Sequence, residues 1–426
     1  METFLIGLGI LLMALFGAPL FTIIGVIAML AFAGEGISPS VMMVDLNRIA
    51  TNPTLVAIPL FTFAGYALAE SKAPIRMVDL ARAFFGSFPG GLAVVALVTC
   101  ALFTAFTGAS GVTIVALGGL LYPMLLNEQY PERFSLGLIT TSGSLGLLFP
   151  PSLPIILYAL VTTISVDKLF AAGIVPGAML VLLLSSYAVW QGKKFKVPRH
   201  PFTWREARRT LRAAAWEVPL PVIIIGGIYS GFFTATEAAA VTAFYVLIVE
   251  VFVYRDLSLF RDIPRVMKDS MLLVGAILMI IGVAMGLTNY LVDQEVPQRL
   301  FELTKTFITS PVMFLVVLNV FLIVVGMMMD IFSAIIVVVP LITPIAKSYG
   351  IDPVHLGIIF LANLEIGYLT PPVGLNLFIS SLRFNKTVLA VTRATLVFIF
   401  ILLGALMIIT YVPDLSLWLV RMLGVR

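Results

Sequence analysis

Gly146-Leu147-Leu148-Phe149-Pro150-Pro151 recurs later in the chain as Gly367-Tyr368-Leu369-Thr370-Pro371-Pro372. In both copies a further proline, Pro123 or Pro344, stands at the same distance upstream and closes a hydrophobic run that is broken near its middle. Proline removes a backbone donor and keeps the residue before it out of the helical region, so a Pro-Pro pair ends the helix that runs into it. One such pair would read as a kink, because membrane helices are richer in proline than soluble ones. Two pairs, each behind a matched hydrophobic run, read as a repeat. Gly/Pro-interrupted hydrophobic segments in corresponding halves of a chain point to a secondary transporter and to its binding site.

Composition supports that direction. Of 426 residues, 60% are hydrophobic and 11% charged, whereas a soluble domain carries about 25% charged residues. Residues 4–34 and 86–127 hold no charge that would forbid burial in lipid. Each is long enough to cross a ~30 Å hydrocarbon layer, the second twice. Residues 1–34 lack a basic leader and have too long an apolar run for a secretory signal, so they are expected to form a retained first membrane helix. Alternating ten-residue strands, the mark of an outer-membrane barrel, are absent from the sequence. Cys100 is the only cysteine, which excludes an intrachain disulfide and a cysteine metal cluster. No G-x-x-x-x-G-K-[ST] phosphate loop occurs, so ATP hydrolysis and a nucleotide-binding domain are not expected. Gly-x-Ser-x-Gly is also absent, and the chain does not read as an enzyme. The net charge of +4 is explained by where it lies and is no nucleic-acid signal.

Basic residues gather at Lys72, Arg76 and Arg82; along 193–212; at Arg255, Arg261, Arg265 and Lys268; and at Arg383, Lys386 and Arg393. The positive-inside rule places all four groups on the cytoplasmic face. Residues 136–163 then run outward and 170–190 return. Residues 218–231 and 238–253 make a second round trip, 271–291 run outward, and 356–380 come back. Two segments do not fit as simple spans. Residues 84–126 start and end on the basic side, so they read as a re-entrant helical hairpin with its tip at Thr107-Gly108-Ala109-Ser110-Gly111. Residues 313–345 start and end outside, with a tip at 326–330. The hairpins enter from opposite faces and each precedes a Pro-Pro break, so the repeats are inverted. The expected fold is an all-α polytopic membrane protein with inverted repeats, two re-entrant hairpins and two interrupted transmembrane helices. Its expected divisions are N-terminal scaffold helices (1–83), a first transport repeat (84–190), a basic loop with central scaffold helices (191–310), a second repeat (311–381) and a C-terminal helix and tail (382–426).

Broken backbone at membrane depth is tolerated only inside protein or beside a polar cavity, and the released carbonyls and helix ends can hold a small cation or an anionic group. Asp330, Glu365 and Glu237 are carboxylates in hydrophobic context, each needing a partner or a task. Asp330 reads equally as a cation ligand or a cap of the second tip, and Glu365 as a ligand or as a partner of a neighbouring amide. Glu237 reads as a first-turn acid on a helix capped by Thr234 or Thr236. Thr107, Ser110 and Thr113 at the first tip, with Ser142 and Ser144 opposite, offer hydroxyls; Asn363 and Thr370 are the analogous groups in the second repeat. Thr140 and Thr141 read as ordinary packing. Hard oxygen donors suit an alkali cation, sodium foremost, with proton coupling through Glu365 or Asp330 as the alternative. His200 and His355 have no second ligand nearby and are not read as metal sites. The run 193–212 is expected to lie along anionic lipid as an amphipathic segment.

Three segments resemble the large membrane subunit of the TRAP (tripartite ATP-independent periplasmic) transporters, the DctM-like permease family. They are Ala57-Ile58-Pro59-Leu60-Phe61 with Ala64-Gly65; Gly231-Phe232-Phe233-Thr234-Ala235-Thr236-Glu237-Ala238-Ala239-Ala240; and Asn363-Leu364-Glu365-Ile366-Gly367 running into Thr370-Pro371-Pro372-Val373-Gly374-Leu375-Asn376. The resemblance implies a scaffold and a mobile domain that moves as an elevator in the bacterial inner membrane. It implies coupling sodium (Na+) held beside the hairpin tips, largely by backbone carbonyls. It also implies two partners, a four-helix small membrane subunit and a periplasmic binding protein that delivers an organic acid. No small-subunit segment precedes Met1, so that subunit is expected on a separate chain. Carried over by motif, one sodium region comprises Thr107, Gly108 and Ser110 facing Gly143, Gly146 and Pro150. The other comprises Gly326 and Asp330 facing Gly367, Thr370 and Pro371. Candidates for the solute's carboxylate are Ser110, Ser144, Asp330, Asn363, Glu365 and Asn376. The first tip departs from the family's serine-rich sequence, keeping one hydroxyl at Ser110 with Ala109 before it. The rival expectation is an autonomous sodium-coupled carboxylate or ion transporter of similar fold that needs no binding protein. A membrane subunit of an ATP-driven importer and a non-transporting scaffold explain the inverted hairpins less well.

Overall fold

Local chemistry sets where many helices begin. Asn52, Ser310, Asp352 and Thr387 each accept a backbone N–H from the first turn, and at Pro53, Pro311 and Pro353 a proline follows the cap. Proline there supplies a preset φ and lacks only a donor that would be unpaired anyway. Thr234 and Glu237 form a full capping box at the start of Ala235–Ile248, so Glu237 is the first-turn acid of a capped helix.

The computed structural model describes residues 2–199 and 201–424, so His200 lies outside the described residues. Among the described residues the secondary structure is helical, with no strand. Eight helices among the described residues are long and apolar enough to cross a membrane, or nine if the bent pair Glu132–Leu148 and Leu153–Thr162 is one span. The expected single first helix over 4–34 is instead two, Glu2–Leu15 and Leu20–Gly34, with Pro19 at the start of the second. Proline cannot continue the first helix, so the apolar run is divided there.

The repeat is longer than the two motifs. A long helix, an amphipathic connector, a hairpin, a broken helix and a closing helix follow one another twice. The first set is Pro53–Glu70, Ala73–Phe85, Gly91–Thr107 with Ser110–Asn127, Glu132–Ser142 with Leu153–Thr162, and Val166–Lys194. The second is Asp262–Asp293, Val296–Phe307, Pro311–Met328 with Ile331–Ser348, Pro353–Gly367 with Leu375–Phe384, and Val388–Tyr411. The leading helices Pro53–Glu70 and Asp262–Asp293 pack on each other and on Leu20–Gly34 and Ala235–Ile248, forming a scaffold. The hairpins, broken helices and closing helices pack together as a second unit. Every residue from Val354 to Gly367 is buried, as expected of a helix apolar on all sides at the middle of a bundle.

Inside lipid, helices associate by close packing rather than by escape from water, so small residues mark their contacts. Gly326 of the second hairpin lies directly on Gly367 at the end of Pro353–Gly367, and a Cβ on Gly326 would stand 3.1 Å from the Gly367 Cα. That contact seats the hairpin on the break.

Candidate functional site

Each hairpin turns in two residues. Thr107 ends the first arm, Gly108 takes a left-handed conformation (φ +63°) and Ala109 is extended before Ser110 begins the return arm. Glycine adopts that φ without the steric penalty of a side chain. At the second tip Met329 and Asp330 are both extended. Asp330 caps the return arm by accepting from the N–H groups of Phe332 and Ser333, each at 3.0 Å, and from the Ser333 hydroxyl. The capping half of the two readings for Asp330 is therefore realised in the structure. Its side chain stays exposed, at the wall of a cavity.

That cavity, about 270 Å³, is where the two repeats meet. Gly108, Ala109 and Ser110 of the first tip and Asp330 and Ile331 of the second line it, with Tyr368 from the second break. Tyr66 closes it from the scaffold and also lines an adjoining cleft of about 370 Å³ whose far wall carries Glu70 and Asp269. Glu70 pairs with Arg265 at 3.0 Å, beside the basic residues assigned to the cytoplasmic face. A larger cleft of about 780 Å³ lies at the other end of Pro53–Glu70, between Pro53, Asp167 and Glu237. It is far from both tips, so the smaller cavity is the better candidate site despite its size.

Each hairpin is tied to the break that follows it. Thr104 Oγ1 donates to the Gly143 carbonyl at 2.9 Å and meets Thr113 Oγ1 at 2.7 Å. In the second repeat the Ile331 N–H donates to Tyr368 Oη at 2.6 Å, and the Gly374 N–H donates to the Met327 carbonyl at 3.1 Å. Pro150–Pro151 and Pro371–Pro372 are both cis, and the first broken helix bends by 42°. The repeats also join directly. Thr140 Oγ1 donates to Ser380 Oγ at 2.9 Å, and Asn376 Nδ2 lies 3.5 Å from the Thr140 carbonyl. Thr140, expected only to pack, is a joint between the two broken helices.

The remaining sequence candidates divide. Thr107, Gly143, Gly146, Pro150, Gly326, Gly367 and Pro371 lie at the tips or breaks as the motifs require, and Thr370 Oγ1 donates back to the Ile366 carbonyl at 2.8 Å. Ser110 and Asp330 line the cavity. Ser144, Asn363, Glu365 and Asn376 are buried and do not line it. Asn363 instead donates to Asn319 Oδ1 at 2.8 Å, and Asn319 donates to Thr410 Oγ1 at 3.1 Å. Glu365 is 1% exposed, sits among Leu180, Leu402, Leu406 and Ile409, and neither carboxyl oxygen has a protein hydrogen-bond partner. His355 is a structural partner of Ser416 and of the Thr410 carbonyl. Among the described residues no cluster of His, Cys, Asp or Glu could hold a metal through those side chains.

Thr104, Tyr66 and Asn319 had no motif to announce them, because what each meets lies far along the sequence, and Tyr368, inside the second Pro-Pro motif, meets Ile331 only through the fold. The same is true of Arg76. This connector residue pairs with Glu217, Asp256 and, at 3.2 Å, Glu250.

Two inverted hairpins converging with their breaks on one cavity are the geometry of an elevator-type permease. Residues 5–415 match the family described as tripartite ATP-independent periplasmic transporter, DctM component. The chain belongs to the TRAP transporter large permease family. The C4-dicarboxylate TRAP transporter large permease protein DctM of Pseudomonas aeruginosa is 39% identical over 401 residues, covering 94% of this chain and 93% of that protein. The ectoine/5-hydroxyectoine TRAP transporter large permease protein UehC of Ruegeria pomeroyi is 34% identical and covers 86% of each chain. Among solved structures, the YdaH transporter of Alcanivorax borkumensis superposes with a TM-score of 0.65 at 12% identity, covering 89% of this chain and 87% of that one. At that identity the likeness is one of fold. The permease is therefore a carrier subunit of the bacterial inner membrane rather than an enzyme. Large permeases of this family pair with a small membrane subunit and a periplasmic binding protein.

Proposed function

We propose that the permease imports an organic acid (a C4-dicarboxylate, a sialic acid or a related carboxylate) by binding sodium at both hairpin tips and moving the hairpin unit past the scaffold. The observation that carries the reading is the shared cavity between the two tips, each tip bonded to its own Pro-Pro break. Sodium is supported by the donor chemistry. Near the breaks, Thr141 Oγ1, Ser152 Oγ and Asn376 Oδ1 are buried oxygens without a protein partner, and uncharged oxygens suit a hard monovalent cation. The one carboxylate in the cavity wall, Asp330, is bound up in capping. A solute carboxylate would then be met by the tip N–H groups and by Ser110 rather than by a basic side chain. The relatives that transport a C4-dicarboxylate and ectoine fit a carboxylate-bearing solute and leave its body to the binding protein.

One elementary charge crossing the membrane potential is worth ~2.3 kcal/mol per 100 mV, so two or more sodium ions per anion would drive accumulation. The test is thermal unfolding of the permease with its small subunit in sodium, potassium or choline chloride at equal ionic strength. A ligand of the folded state adds about 2.7 kcal/mol at a hundredfold excess over its Kd. Sodium alone is expected to raise the melting temperature. Equal curves in all three salts would contradict sodium binding.

A further inference from the structure

A third cleft, about 520 Å³, opens near the cytoplasmic face, away from the tips. Its walls come from three places: Phe84 on the connector Ala73–Phe85, Thr99 and Leu102 on the first hairpin arm, and Leu211 with Val218 beyond it. Phe84, Leu102, Leu211 and Val218 are all exposed, so the cleft is open and its lining is overwhelmingly carbon. The volume falls in the ~300–1,000 Å³ range of small-molecule sites. One polar atom lies unsatisfied within it. Thr99 is 1% exposed and its Oγ1 has no hydrogen-bond partner. Glu217, on the rim, is already held by Arg76 and by Tyr254 Oη at 2.9 Å.

The rim helix Trp204–Ala213 supplies the opposite character. On the helix wheel Arg208 and Arg212 lie to one side of Leu211, about 60° and 100° round from it, and both are exposed with Arg205 beside them. Arg209 pairs with Glu206 at 3.5 Å, whereas no carboxylate pairs with Arg205, Arg208 or Arg212 among the described residues. Cations above an apolar slot with a buried hydroxyl are complementary to a molecule with an anionic head, an ester carbonyl and a hydrocarbon tail. Phosphate alone would leave the slot empty, and a zwitterionic lipid would gain less from the arginines.

We propose that this cleft binds one anionic phospholipid, its headgroup on Arg208 and Arg212 and an acyl chain between the connector, the first hairpin arm and the helix Pro219–Tyr229. The Thr99 hydroxyl is the donor for an ester carbonyl. Such a lipid touches the hairpin on one side and the segment beyond the basic loop on the other, so it sits across a boundary that the elevator reading sets in motion. Binding is measured without transport, and failure of the sodium reading would leave it standing.

The experiment is native mass spectrometry of the permease with its small subunit, released from micelles doped with phosphatidylglycerol or phosphatidylcholine. The wild type is expected to retain one phosphatidylglycerol about thirtyfold more than phosphatidylcholine, the scale of two arginine contacts at a charged surface. The double variant Arg208→Gln/Arg212→Gln is expected to erase that preference, and Leu102→Trp to reduce retention of both lipids. Lys193→Gln/Lys194→Gln, which removes the same charge elsewhere on the basic run, is expected to behave as wild type. Unfolding curves identify any variant that fails to fold. Equal retention of the two lipids by the wild type, an equal loss in the lysine variant, or full retention in Leu102→Trp would overturn the site.

Discussion

Asp330 starts the return arm of the second hairpin and Glu365 precedes the second break, and their surroundings assign these two carboxylates opposite characters. Asp330 holds two backbone N–H groups at the start of a helix. Its replacement by alanine is expected to lower stability by about 1 kcal/mol, the usual worth of a cap, while Asp330→Asn keeps an acceptor and loses less. Thermal unfolding of both variants checks the order. Glu365 has hydrophobic neighbours and no protein partner. An unpaired buried polar group costs about 1–3 kcal/mol by mutational measure, so Glu365→Met is expected to raise stability by that order. A group kept at such a cost in a transporter has a task, and uptake by the same variant is expected to fall. Unchanged uptake with raised stability would make the carboxyl a bystander. Glu237 was readable from its neighbours alone because a capping box spans four residues. The partners of Asn363 and Arg76 and the apolar neighbours of Glu365 were not, since helix period and local motif carry no information about which distant helix covers a face.

At the scale of elements, the hairpin and its break form one rigid piece. Gly326 and Gly367 allow backbone to lie on backbone, and inserting a methyl group there forces the two apart. Gly367→Ala is expected to cost about 1–3 kcal/mol, the range for overpacking, and to weaken sodium stabilisation at the second tip more than the fold as a whole. Sodium titration monitored by unfolding separates the two effects. The connector Ala73–Phe85 depends instead on charge. Arg76 is mostly buried against three carboxylates, and removing one partner from such a set is destabilising by about 3–5 kcal/mol. Arg76→Gln is expected to show that loss in thermal unfolding, and Glu217→Gln in the same chain to restore part of it. Element types and their order were legible in the sequence because hydrophobic length, proline position and basic clusters set them. The division of residues 4–34 at Pro19 was not, since an uncharged run of that length is compatible with one tilted helix or two.

At the scale of the whole molecule, two clefts lie between the scaffold helix Pro53–Glu70 and the hairpin unit, one at each end of the helix. The cleft beside Tyr66 and Ile379 shares those two residues with the tip cavity and carries Glu70 and Asp269 on its wall. The inverted repeat was visible as two Pro-Pro motifs. Its full extent, with matching connectors and leading helices, was hidden because those helices share their order in the chain rather than residues.

Sodium-driven uptake into proteoliposomes holding the permease and its small subunit is the direct measurement. Labelled organic acids would be supplied with and without their binding protein, in the presence and absence of an inward sodium gradient. Accumulation that requires both the gradient and the binding protein is the expected result; accumulation that proceeds without sodium would contradict the account.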